Sequence, residues 1–195
     1  MNNFSHNFLT ESQKILSSVD HQEIESLVIK LKELKNESGN LYICGLGGSA
    51  GHASHAVNDF RKLCEINTFS PSDNVSELTA RANDEGWDTI FTGFLSNCRL
   101  TKKDALLIFS VGGGSTNPDV STPLIEAAKF AKSKGAKVFS ILGRDGGFIK
   151  TISDISILIP NLFPERVTPH TEGLTAVVWH LIVTHPELSS KPTKW

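Results

Sequence analysis

The sequence predicts an α/β fold, a parallel β-sheet flanked by helices, and three observations carry that prediction. Short apolar runs of strand length alternate with longer stretches of helical periodicity. The strand runs are apolar almost throughout, the pattern expected when both faces of a sheet are covered. Two of them end in glycine loops that lead into helices, "GLGGSAG" and "VGGGST".

The elements follow in order. Residues 3–36 read as two helices broken near "SVDHQE", with Ile24, Leu27, Val28, Leu31 and Leu34 recurring at helical spacing. Strands are expected at "NLYICG" (40–45), within "KDALLIFSVGGG" (103–114), at "KVFSILG" (137–143) and at "DISILIP" (154–160). Helices are expected over 49–62, 87–98, 123–134, 147–152 and 171–185. Pro123 marks the first turn of its helix with Thr122 as cap, and Thr171 is the expected cap of the last helix, which Pro186 closes. This divides the chain into an N-terminal helical extension, 1–36, and one α/β domain, 37–195.

Composition narrows the function classes. The 195 residues are 39% hydrophobic and 21% charged, a globular balance, and the net charge of −2 with no basic run argues against nucleic acid. No apolar stretch approaches the roughly 18–20 residues that span a bilayer, and "MNNFSHNFLTESQK" lacks the pattern of a secretory signal. The three cysteines, Cys44, Cys64 and Cys98, fit reduced thiols, so a cytoplasmic location without membrane partners is expected.

Open parallel sheets bind ligands beyond the carboxyl ends of their strands. Both glycine loops lie there, each before a helix whose N-terminus favours an anion, and Ser49, Ser110 and Ser115 add hydroxyl donors. A phosphate is the expected ligand. Neither loop matches a nucleotide fingerprint, so no nucleotide is expected. On the helix after the first loop, His55 and Asp59 stand four apart, about 5–6 Å between Cβ atoms, and His52 shares much of that face. His180 lies beside the apolar face of the last helix.

"GLGGSAGHASHAVNDF", "ARANDEGW", "LLIFSVGGGS", "IEAAKFAKSKGAKVFSILGRDGG" and "VVWHLIVTHP" together resemble the sugar isomerase (SIS) domain family, and within it the phosphoheptose isomerases, over about residues 5–186. The resemblance implies a flavodoxin-like three-layer sandwich, a homotetramer with active sites at subunit contacts, and conversion of sedoheptulose 7-phosphate to D-glycero-D-manno-heptose 7-phosphate on the way to ADP-heptose. By the same resemblance Leu46, Gly47, Gly48 and Ser49 form a first substrate loop, and Asn83 and Asp84 contact substrate. Ser110, Val111, Gly112 and Ser115 form the phosphate loop. Asp59 and His180 match the acid/base pair, and His55, Asp59, Glu172 and His180 match positions that hold zinc in some members.

The chain departs from that family's usual pattern. Leu46 stands for Asn, Asp59 for Glu and Glu172 for Gln; Leu63 stands near an expected arginine; Val111 and Gly112 replace hydroxyl residues. "STNPDVSTP" is about three residues longer than the pattern. These differences mark a divergent subgroup, and the triple glycine offers backbone N–H groups in place of the lost hydroxyls. The zinc set also poses a geometric problem. Glu172 and His180 are eight apart, about 12 Å along one straight helix, whereas zinc ligands lie about 2 Å from the ion. Either Glu172 precedes the helix or one of the two comes from a neighbouring subunit. A competing expectation is a SIS protein that binds a sugar phosphate without turnover to act on a protein partner, such as the replication initiator. The joint presence of His55, Asp59 and His180 favours the enzyme.

Overall fold

A computed structural model describes residues 3–191. Its centre is a five-stranded, all-parallel sheet of β1 (Leu41–Cys44), β2 (Thr68–Phe69), β3 (Ala105–Ser110), β6 (Lys137–Leu142) and β7 (Ile155–Leu158), in the order β2-β1-β3-β6-β7. Alternate side chains leave opposite faces of a strand. Leu41, Ile43, Ala105, Leu107 and Phe109 therefore enter one apolar core, and Tyr42, Cys44, Leu106 and Ile108 the other. The first core is closed by α1 (Phe4–Leu16), α2 (His21–Asn36), α3 (Gly48–Cys64) and α8 (Val167–Thr184). The second is closed by α5 (Ile90–Asn97), α6 (Thr122–Ser133) and α7 (Gly147–Ile152). The two N-terminal helices thus share a core with the sheet, through Ile15, Leu27 and Leu31.

The connections define where a ligand sits. From β1 the chain crosses through α3 to β2 on one side; from β3 it crosses through α6 on the opposite face to β6 on the other side. The strand order reverses between β1 and β3, which opens a crevice beyond their carboxyl ends.

Four features differ from the sequence expectation. An edge strand, β2, and a helix, α4 (Val75–Asp84), fill residues read as connection. The helix has no fully buried residue; Leu78 and Ala82, four apart, pack half-buried on the second core, an apolar stripe too short to stand out in sequence. Its other support is local: Asn74 accepts from the Ser76 and Glu77 N–H groups, and Arg81 pairs with Glu77 and Glu85. Third, α8 starts at Val167, upstream of the expected cap Thr171. Proline is tolerated in a first turn, where its missing N–H would have had no partner, so Pro169 lies within the helix. Fourth, α6 already includes Thr122, so its cap is Ser121, in the left-handed region at φ 55°, and the Thr122 hydroxyl is donated to the Asp88 carboxylate.

The first N-terminal helix, α1, is joined to the start of α8 by a polar clasp. Arg166 donates two hydrogen bonds to the Glu11 carboxylate, at 2.7 and 2.6 Å. His170 Nε2 lies 2.9 Å from the same carboxylate, its Nδ1 lies 3.3 Å from Ser12 Oγ, and Phe8 stacks on its ring at 4.3 Å. Among the described residues no helix is long and apolar enough to cross a membrane.

Candidate active site

The loops after β1 and β3 line one cavity of about 250 Å³ at the strand-order reversal. Leu46 and Ser49 come from the first loop, and Ser110, Val111 and Gly112 from the second. Ser121, Arg144, Thr168 and Glu172 complete its polar lining.

Glycine shapes the first loop. Gly47, at φ 58°, turns the chain into α3. Gly48 leaves room for the Glu172 carboxylate, whose Oε1 would lie 2.6 Å from a Cβ at that position. That carboxylate occupies the positive end of α3, satisfying the dipole from within the protein. The helix end left for a bound anion is that of α6, where Ser121 makes no side-chain capping bond. The Arg144 guanidinium, exposed and in no ion pair among the described residues, faces the same space. In the second loop the Gly113 N–H is already donated to Ser110 Oγ at 3.0 Å, so that amide is not free for a ligand.

The lengthened phosphate loop forms a small hairpin, β4 (Ser115–Thr116) with β5 (Asp119–Val120). The hairpin carries Ser115 into an adjoining outer cavity of about 800 Å³, which shares Gly112 and Arg144 with the inner one. Ser121, after the hairpin, holds the inner position instead. Ser121 precedes a Thr-Pro pair, and Arg144 follows a strand in "GRDGG"; those were the signals available in sequence.

The second group of site residues lies on the outer face of α3 and α8. Asp59 Oδ2 is 3.6 Å from His55 Nε2 and 3.9 Å from His180 Nε2. Asp59 Oδ1 accepts a 2.8 Å hydrogen bond from Asn58 Nδ2. His180 Nδ1 is 2.8 Å from the Ala176 carbonyl, which can only accept, so Nδ1 carries a proton and Nε2 is the nitrogen that faces Asp59. Trp179 packs against both imidazoles. Burial holds the His52 imidazole below its usual range, opposed by the Glu172 charge and reinforced by His55 and His180.

The ligand atoms of His55, Asp59 and His180 all lie within 4.8 Å of one another, a two-histidine, one-carboxylate set that fits zinc with a position left for substrate. Glu172 is not in this set. It lies inside α8, eight residues before His180, so the alternative that placed it ahead of the helix does not hold. Asn83 and Asp84 end α4, exposed, with Asn83 Nδ2 donating to Asp84 Oδ1 at 2.7 Å; they do not line this chain's cavity.

The pattern of the SIS domain matches residues 7–143, more than half of the chain. The chain belongs to the SIS domain family. This SIS protein is 32% identical to the lincomycin biosynthesis protein LmbN of Streptomyces lincolnensis, over 92% of this chain and 67% of that one. It is 30% identical to a phosphoheptose isomerase of Helicobacter pylori (strain Shi470), over 87% of this chain and 85% of that one. Its fold superposes on the solved phosphoheptose isomerase GmhA of Neisseria gonorrhoeae with a TM-score of 0.79 at 23% identity, covering 92% and 95% of the two chains.

Proposed function

We infer that this SIS protein is an aldose–ketose isomerase that converts sedoheptulose 7-phosphate into D-glycero-D-manno-heptose 7-phosphate. The observation that carries the reading is the approach of the Asp59 carboxylate and the His180 imidazole, 3.9 Å apart, in a protein whose switch-point cavity is built for an anion. Kinship at 30% identity with a phosphoheptose isomerase supports the substrate class.

The cavity supplies the grip. Ser110, Ser121, Arg144 and the start of α6 hold the phosphate, with Ser49 on the opposite wall. The chemistry is a proton shift between adjacent carbons. A base removes a proton from C1 of the ketose, and the electrons form the C1=C2 bond of an enediol as the C2 oxygen takes up a proton. Reprotonation at C2 and loss of the proton on O1 then leave the aldehyde. A carboxylate and an imidazole suffice for both transfers. The His180 Nε2 lone pair accepts, while the Nδ1–H bond to Ala176 fixes the ring. Asp59, steadied by Asn58, handles the second proton. Zinc held by His55, Asp59 and His180 would instead occupy the Nε2 lone pair and polarise the sugar carbonyl.

The site also calls for neighbouring copies in a homotetramer. His55, Asp59 and His180 lie on an outward face beside exposed Val177 and Leu181. The α4 helix, which rests on the second core through Leu78 and Ala82, presents Asn83 and Asp84 outward, where they serve a neighbour's site. The buried free thiols Cys44 and Cys64 suit the cytoplasm.

The test is solvent exchange. Incubation with sedoheptulose 7-phosphate in deuterated water labels C1 of the ketose and C2 of the aldose, followed by NMR. Asp59→Asn and His180→Ala lower turnover by about 100- to 10,000-fold while the chain still melts cooperatively. Absence of exchange with any five- to seven-carbon sugar phosphate, with or without zinc, overturns the reading.

A further inference from the structure

Beyond their own edge-on contact at 5.4 Å and the His180 Nδ1 bond to Ala176, His55 and His180 have little help from solvent-facing neighbours. Their side chains are 58% and 47% exposed, whereas Asp59 between them is 15% exposed. An exposed imidazole ordinarily samples several ring orientations, and only one presents Nε2 to Asp59. Something buried has to fix both rings, and the side chain in ring contact with both is Trp179. It is fully buried, stacks on His180 at 3.5 Å between ring centres with planes 26° apart, and meets His55 edge-on at 4.9 Å and 72°.

Trp179 carries a visible cost. Its Nε1 is buried with no hydrogen-bond partner among the described residues. A buried donor left unpaired is unfavourable. Phenylalanine or leucine would fill apolar space between α3 and α8 without that cost. What the indole adds is a broad rigid plate, long enough to stack on one imidazole while contacting the other. Rotation of His180 about its Cβ–Cγ bond would leave the stack and break the Nδ1–H bond to Ala176 together.

We propose that Trp179 is a positioning residue that holds the His55 and His180 rings with both Nε2 atoms turned to Asp59 Oδ2. Its catalytic consequence rests on the reading of these three residues as the acid/base and metal-holding cluster; the positioning itself does not. Orientation of ligating histidines by groups behind them is worth about 10- to 100-fold in metal affinity.

The experiment compares full-length wild type with Trp179→Phe and Trp179→Leu. Long-range proton–nitrogen correlation spectra, taken roughly two pH units above the ordinary imidazole pKa, report the tautomer of each histidine. Resonances are assigned with His55→Ala and His180→Ala. Wild type shows His180 as a single Nδ1–H tautomer, phenylalanine largely keeps it, and leucine gives a mixture. Calorimetric zinc titration shows about 10-fold weaker binding in the leucine chain and near wild-type binding in the phenylalanine chain. Affinity for inorganic phosphate, held at the separate cavity, stays unchanged, and kcat falls without a rise in KM. Should the leucine chain fail to fold, Trp179→Met is measured in the same way. A leucine or methionine chain that keeps the single tautomer overturns the proposal. If wild type binds no zinc and isomerises nothing, the cluster reading fails, and the tautomer spectra still decide the role of Trp179.

Discussion

Arg144 shows how much a single side chain carries here. It lines both the inner cavity, with Glu172, and the outer one, with Asp145, yet forms no ion pair with a described carboxylate. A guanidinium that loses a charged partner typically forfeits about 1.5–3 kcal/mol of hydrogen bonding, about 10- to 100-fold in affinity. Arg144→Ala is therefore expected to weaken inorganic phosphate binding by about that factor and to raise KM with little change in kcat, as calorimetry and steady-state rates would read. A kcat loss with unchanged KM would place the guanidinium at the reacting carbons instead. The residues legible in sequence were those beside a glycine turn, such as Ser49 and Ser110, or four apart on a helix, such as His55 and Asp59. Ser121 was hidden because loop length, set by a hairpin, decides which serine arrives at α6. Glu172 was visible as a residue, but its seat over Gly48 depends on how α8 packs against α3.

At the scale of elements, the clasp between α1 and α8 has a pH signature. The Arg166 guanidinium, then His170, hold the Glu11 carboxyl down at about 2, against burial, from an ordinary 4.5. A carboxyl whose pKa is depressed by folding stabilises the native state above its unfolded value and loses that contribution as acid protonates it. The contribution of Glu11 is whole above about 4.5 and fades as the pH falls toward about 2. Glu11→Gln is thus expected to lower Tm at neutral pH, with the gap from wild type closing across that window in thermal melts. A gap of constant size would show that packing, not charge, is lost. The clasp was invisible in sequence because its members are more than 150 positions apart. The long helices and central strands were legible because their apolar periodicity is imposed by burial. The α4 helix, held by its cap, its ion pairs and only Leu78 and Ala82 on the core, leaves a much shorter imprint.

At the scale of the whole molecule, the layered arrangement followed from apolar strands alternating with helices, since such strands are stable only when covered on both faces. What stayed out of reach was the apolar part of the outer surface, where no described residue buries Val75, Trp87, Val177 or Leu181. Leu181→Lys combined with Val177→Lys is expected to shift the proposed tetramer to smaller species in sedimentation velocity, and to lower kcat by at least about 10-fold if neighbouring copies complete the site as proposed. Dissociation with full activity would mean that one copy suffices. The α8 helix has a last consequence. Thr168 and Glu172 reach the anion cavity from its first turns, and His180 reaches the outer cluster from its last. One unbroken rod joins the two, so no bending of this chain shortens the interval between them. The spacing between the two sites is therefore set by the pitch of a helix and not by the pose of a loop.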